Sequence, residues 1–316
     1  MWYNRKDILG VMLGFLAAIW IFYVSYQWLS TPTNLQEGFE QNKPFVMKTN
    51  ESCYDDVYFS LFTEVYESTD QISYVSDAII EAARFGESEK DKLLDVQCDC
   101  GRLAFALAEH GSVWGMDSRP LAIEKCREPR EGGEKESPLP TFLVGNIVDP
   151  SLTLHLEPHM FSHMSVFGYQ LYLSPDLSPF FESYHKLLHP RGILILQLVD
   201  PEHFVGFKPP KMHEEAMYAN VDLLDEEIQE TDNQILDLPT LTYTCNTTSS
   251  PLVQWTEQFK DKKTGNIRQQ IRDMFLLPIL DILQLAINAG FKVRTKIDLA
   301  PTGAKHEYLY ILENTF

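Results

Sequence analysis

The feature that most constrains this chain is an alternation of short apolar runs with amphipathic stretches between residues 93 and 199. LLDV (93–96) predicts a strand, and 102–110 a helix that stops at Gly111. SVWGMD (112–117) is a second strand and PLAIEKCRE (120–128) a second helix. TFLVG (141–145) and FSHMSVFG (161–168) are strands three and four, and SPFFESYHKLL (178–188) is a helix closed by HPRG. GILILQLV (192–199) is a near-continuous apolar run, as a strand buried on both faces requires. Strands alternating with helices at this spacing predict a parallel sheet covered on both sides.

The alternation breaks after Asp200. The segment 201–237 is acidic and reads as loop. LTYTCNTT, PLVQWTEQF and NIRQQIRDMF are β-type runs, the last two joined by the turn signal KDKKTG. A helix over 278–290 and two closing strands, 291–299 and 306–314, follow. Ahead of the alternation, 53–86 shows two helical patterns, the second ending at Gly86. The divisions are therefore an anchor (1–30), a polar juxtamembrane linker (31–52), an α/β core with leading helices (53–200), an acidic and β-rich insertion (201–276), and a closing helix and hairpin (277–316).

The anchor rests on ILGVMLGFLAAIWIFYVSYQWL (8–29), which is uncharged and long enough to cross a bilayer. Trp2 and Tyr3 flank one end, and Tyr23, Tyr26 and Trp28 the other, as interfacial belts do. A cleaved signal peptide would place small residues where Tyr26, Trp28 and Leu29 stand. The membrane is thus an expected partner through 8–29. Arg5 and Lys6 before the span, with Glu37 and Glu40 after it, favour a cytosolic amino terminus. The sequons at Asn50 and Asn246 would then face a compartment that permits glycosylation. The formal net charge of -19 argues against nucleic acid as a partner. The densest basic cluster, Lys260, Lys262 and Lys263, is interleaved with acids. Five scattered cysteines do not suggest a disulfide framework.

The stretch LLDVQCDCGRLAFALAEHG (93–111) runs from strand through a tight polar loop into a helix. At the carboxyl end of the first strand of such a sheet, a ligand meets loop backbone and the next helix. Asp117 closes the second strand, where a carboxylate can accept both hydroxyls of a ribose. Loop and acid, one βα unit apart, point to a nucleoside cofactor. A plain α/β turn with a helix-capping aspartate is the competing reading. A short-chain dehydrogenase would need a Tyr-x-x-x-Lys pair in its later half, and none is present.

The order of segments resembles the class I S-adenosylmethionine-dependent methyltransferases. DVQCDCG is similar to their DVGCGTG, WGMDSRPLAIEKCRE to their second strand and helix, and GNIVD to their adenine segment. LLHPRGILIL resembles their fifth strand, and AGFKVRTKIDL with HEYLYILEN their final hairpin. The amino-terminal span, EGFEQNKPFVMK, YDDVYFSLFTEVYE and QLVDPEHF further resemble membrane-anchored methyltransferase-like proteins of large DNA viruses of algae and protists. That resemblance implies a host or virion membrane.

The first resemblance implies a Rossmann-like seven-stranded sheet with a β-rich insertion after strand five, and S-adenosylmethionine as cofactor. Asp95 then falls at the motif's acid and Gly101 at its last glycine, with Gln97, Cys98 and Asp99 between them. Asp117 and Ser118 fall at the ribose, Asn146 and Ile147 at the adenine, and Phe167 with Gly168 near the sulfonium. Tyr54 and Tyr58 fall in the leading helix, which in relatives folds over the cofactor; as core tyrosines they would need no such role.

Gln97 and Asp99 replace two of the three glycines, and Cys100 a small residue. A carboxylate at 99 near the methionine carboxylate costs roughly 1–3 kcal/mol in a partly buried site. Cofactor binding is therefore expected to be weakened by one to two decades, or lost. No metal site is expected. Pro158 interrupts the spacing of His155, His159 and His163, Cys98 and Cys100 lack further ligands, and His185 with His189 lack a third. Two functions stay open: methyl transfer to an unidentified acceptor, with no nameable base, or an inactive methyltransferase fold serving as a membrane-tethered binding module.

Overall fold

The computed structural model describes residues 44–59, 69–128, 138–151, 156–204, 234–237, 241–247 and 252–315. The expected span at 8–29 lies outside the described residues, among which no helix is long and apolar enough to cross a membrane.

Seven strands form the main sheet. They are β2 (Lys92–Val96), β3 (Ser112–Asp117), β4 (Thr141–Val144), β5 (Phe161–Val166), β6 (Leu188–Val199), β11 (Phe291–Asp298) and β12 (Glu307–Asn314), in spatial order β11-β12-β6-β5-β2-β3-β4. The five strands from β6 to β4 run parallel, and β12 is inserted antiparallel between β6 and β11. The parallel sheet expected from the alternation is therefore present, and the seven strands that the resemblance implies are completed by the closing hairpin, with 306–314 antiparallel. β2 has β3 on one side and β5 on the other, so the strand order reverses there. Ligands of open α/β sheets bind at the carboxyl ends of the strands beside such a reversal.

Helices α1 (Thr69–Ala82), α2 (Arg102–Leu107), α3 (Pro120–Arg127), α4 (Ser178–Leu187) and α5 (Ile279–Asn288) cover the sheet. Leu93, Leu107, Ile195 and Ile311 fill one face with α1 and α2. Leu94, Phe181, Leu194 and Ile282 fill the other with α4 and α5. β6 is longer than its apolar run. It begins at Leu188, the residue expected to end the helix, and takes in the HPRG stretch expected to close it, with Arg191 held at φ 64°.

A second sheet of five strands, ordered β1-β10-β9-β8-β7, is built from β1 (Phe45–Thr49), β7 (Gln234–Asp237), β8 (Leu241–Thr247), β9 (Val253–Asp261) and β10 (Ile267–Met274). Two of its strands come from unexpected places. β1 lies in the stretch that reads as linker and pairs parallel with β10 through five residues, Phe45 to Thr49. β7 lies in the stretch that reads as acidic loop. Neither has a long apolar alternation, because each borrows its order from a neighbouring strand. The sheet packs on the carboxyl ends of the main strands: Tyr243, Trp255, Phe259 and Met274 share a core with Tyr58, Tyr172 and Leu198. The amide of Phe275 donates to the Tyr172 carbonyl at 2.8 Å, tying the two layers together.

Candidate active site

The loop after β2 keeps the backbone of a glycine motif with one of its three glycines. Gln97, Asp99 and Gly101 adopt φ of 56°, 51° and 72°. Left-handed backbone costs a residue with a Cβ roughly 1–2 kcal/mol. Gly101 cannot be exchanged on packing grounds either. A Cβ there would lie 2.8 Å from the Phe142 ring and 3.1 Å from Cys126 Sγ. Gln97 and Asp99 instead line an open cleft, where their side chains have room. Glycine is thus retained where the neighbour is protein and lost where the neighbour would be a ligand.

Asp95 sits at the base of this loop, buried, and accepts a hydrogen bond from Ser165 Oγ of β5 at 2.8 Å. Burial pushes its carboxyl up to about 7, against the Ser165 bond, and the nearby Asp117 charge adds to the rise. Asp99 carries its carboxylate beneath Tyr58 and Gln170, whose Oη and Nε2 each donate at 3.3 Å. Burial raises its carboxyl too, opposed by Arg119.

Asp117, expected to take the ribose, is 1% exposed. Its Oδ1 accepts from the Arg119 amide at 2.9 Å and from Arg119 Nε at 2.8 Å. Its Oδ2 accepts from Arg119 Nη2 at 2.7 Å and from the Asp99 amide at 3.0 Å. The carboxylate is saturated by the chain's own donors. The guanidinium, so fixed, lies 4.1 Å over the Tyr54 ring, and its buried Nη1 has no hydrogen-bond partner. Arg119 therefore covers Asp117 on the side where the resemblance expects the nucleoside, hereafter the nucleoside end.

The other end is open. Free space of about 800 Å³, mouth included, is lined by Asp95, Gln97, Asp99, Phe167, Gln197 and Trp255, among others. The second sheet supplies its roof. Arg272 of β10 stacks 3.9 Å over Trp255 and is paired with buried Glu257. Glu257 in turn accepts from Tyr243 Oη at 2.7 Å. At the floor, Gln197 Oε1 accepts from the Gly168 amide at 2.8 Å.

The structure brings Tyr54, Asp95, Gln97, Cys98, Asp99 and Phe167 together on this cleft, and Tyr58 with them. It does not bring Asp117, Ser118, Asn146 or Ile147 to it. Ser118 is exposed, Ile147 is buried in the main core, and Asn146 Oδ1 accepts from the Val148 amide in a local turn. Cys98 packs with Ile123 and Cys126. His163 lies between Ser162 Oγ and the Ala83 carbonyl, at the opposite end of the strands, and His155 falls outside the described residues. His185 and His189 belong to α4 and β6 rather than to one helix face. Arg119, Gln170, Arg272 and Trp255 escaped the sequence reading. For Arg119 a signal existed: an arginine two residues after the ribose acid can chelate it.

The profile of a family described as "Methyltransferase domain" matches residues 87–277, more than half of the chain, and the chain belongs to that family. Its fold is shared with an S-adenosylmethionine-dependent methyltransferase from Clostridium acetobutylicum at a TM-score of 0.59 and 15% identity, covering 83% of this chain and 98% of that one. A second likeness is to an amino pentose methyltransferase from Micromonospora echinaspora with S-adenosylmethionine bound (TM-score 0.56, 15% identity, 83% and 98% covered). A third is to a sugar N-methyltransferase from Streptoalloteichus (TM-score 0.54, 16% identity, 82% and 93% covered). No curated protein matches in sequence. S-adenosylmethionine is the cofactor of this family. The nucleoside end, as arranged, does not fit it: the ribose acceptor has no free lone pair facing the cleft, and Arg119 fills the adjoining space.

Proposed function

We propose that this chain is a methyltransferase-fold protein that has given up methyl transfer and serves as a membrane-tethered binding module, held by residues 8–29. One observation carries the reading: Asp117 is capped by Arg119 and the Asp99 amide, which together supply four donors to its two oxygens. The replacement of cofactor-facing glycines by Gln97 and Asp99, at positions whose backbone still demands glycine, supports it. The acidic balance suits a basic or cationic ligand for the open half of the cleft.

The test is calorimetric titration of the full chain, in detergent, with S-adenosylmethionine. No binding is expected at millimolar cofactor. Micromolar affinity of the native chain would overturn the reading. The triple change Gln97→Gly, Asp99→Gly and Arg119→Ser should gain about tenfold or more in affinity, as relieved crowding and repulsion of about 1.4 kcal/mol imply. Alkaline carbonate extraction checks the tether, which requires that the chain stay in the membrane pellet.

A second reading is methyl transfer to a small polar acceptor. The roofed cleft of about 800 Å³ favours it. Two of the structural likenesses are an amino pentose methyltransferase and a sugar N-methyltransferase, which makes a sugar amine the acceptor class to try first. Native affinity for the cofactor decides between the two.

A further inference from the structure

We propose that Asp200, His203 and His306 form a site for a divalent transition-metal ion of the zinc class, close to the lining of the open cleft. Asp200 leaves β6 and caps the short turn Pro201–His203, its Oδ1 accepting from the Glu202 amide at 3.1 Å. Its Oδ2 lies 2.9 Å from His203 Nδ1. His306 precedes β12 across the sheet. Its carbonyl accepts from the Asp200 amide at 2.9 Å, locking the two loops together. One ligand atom from each of the three side chains lies within 4.8 Å of the others.

The chemistry of the donor set fits such an ion. Asp200 Oδ2 and His203 Nδ1 lie at the separation of two ligands on one small ion and can close on it by giving up the proton they share. Two imidazoles and a carboxylate suit zinc-like ions rather than magnesium or calcium, which prefer all-oxygen sites. Three protein ligands leave coordination open to water or an incoming ligand. The two rings are now stacked, 4.1 Å apart and 12° from parallel. An ion cannot lie in both ring planes at once, so binding requires the exposed His306 ring to rotate about its Cβ–Cγ bond. His306 is also held at φ 62°, a conformation few residues with a Cβ adopt.

The neighbours put the site close to the cleft lining. Phe204, next to His203, packs edge-on against Tyr169 and Trp255, both cleft-lining. Glu307, next to His306, accepts from Tyr169 Oη at 2.8 Å and from Gln197 Nε2 at 2.6 Å. A cation here would lie one residue from side chains that pack against the cleft lining.

Equilibrium binding of CoCl₂ and ZnCl₂ to the full chain in detergent, without a histidine tag, tests the proposal. About one Co²⁺ per chain is expected, with visible ligand-field bands that Zn²⁺ abolishes. His203→Gln and His306→Ala should each weaken affinity by about tenfold or more. Both positions are exposed, so circular dichroism should show native folds. The absence of binding at millimolar ion would overturn the site, as would unchanged affinity in both variants. A sulfur-to-cobalt charge-transfer band would move the ion to Cys98, Cys100 or Cys126 and overturn it equally.

Discussion

The two ends of the cleft share one loop and have opposite fates. At the nucleoside end, acids and cation are matched inside the protein. Asp117 and Asp99 surround Arg119, and no lone pair of Asp117 is left for a ligand. At the other end, Gln97 Oε1 is buried without a hydrogen-bond partner, and Arg272 Nε likewise, around free space. The first is a charge-matched network in which the Asp117 oxygens are fully taken and Arg119 Nη1 alone of the guanidinium nitrogens has no partner, and it behaves as core. The second has unsatisfied groups facing a cavity and behaves as a binding site. A fold can thus keep its architecture while its own side chains fill half of the place where the resemblance expects a ligand.

The comparison breaks most sharply at Arg119. Arg119→Ala leaves two buried carboxylates without their cation and should cost about 3–5 kcal/mol in denaturant unfolding. A loss under about 1 kcal/mol would mean that the nucleoside end is not a closed network. The loss should shrink in acid, where Asp99, already raised by burial, takes up a proton.

Asp95 is the next lever, because it serves both ends. Its carboxyl is raised from 3.8 to about 7. Between those values the folded chain holds a proton that the unfolded chain has released. Stability is therefore full below the unfolded value and is lost as pH rises through 7. Asp95→Asn should stabilise the protein by about 2–4 kcal/mol at pH 8 and change little at pH 4, as paired thermal melts would show. Equal effects at both pH values would place the charged carboxylate in the native state.

A smaller effect is expected at the loop itself. Gln97→Gly relieves left-handed strain but loosens the unfolded chain, leaving a gain of roughly 0.5–1 kcal/mol. A destabilised variant would show that the Gln97 side chain has a packing role. Smallest of all should be Gln170→Ala in the open half. It removes one long bond to Asp99, which Tyr58 also reaches, and should cost about 0.5 kcal/mol or less. A loss as large as that of Arg119 would erase the distinction between the two ends.

The alternation of apolar runs was enough to specify the parallel sheet and its helices, because burial on both faces leaves a local signature in each strand, whereas the antiparallel closing strand followed from the family resemblance. The loop was legible too. Asp95 and Gly101 frame a left-handed backbone that the segment adopts even with Gln97 and Asp99 inside it. Tertiary structure decided the rest. β10 buries Arg268, Gln270, Arg272 and Met274 and turns Ile267 and Ile271 to its half-buried face, the reverse of what its hydrophobic pattern implies. Arg268 can do so only because Asp55 and the Cys53 carbonyl, more than 200 positions away, receive its guanidinium at 2.8–3.0 Å. Likewise Asp117 reads as a free ribose acceptor until Arg119 is seen to fold back on it. His203 and His306 meet only where β6 and β12 become neighbours. Hydrophobic periodicity is a property of each segment and can be read along the chain. The pairing of buried charges depends on which segments come to lie side by side, and only the assembled fold determines that.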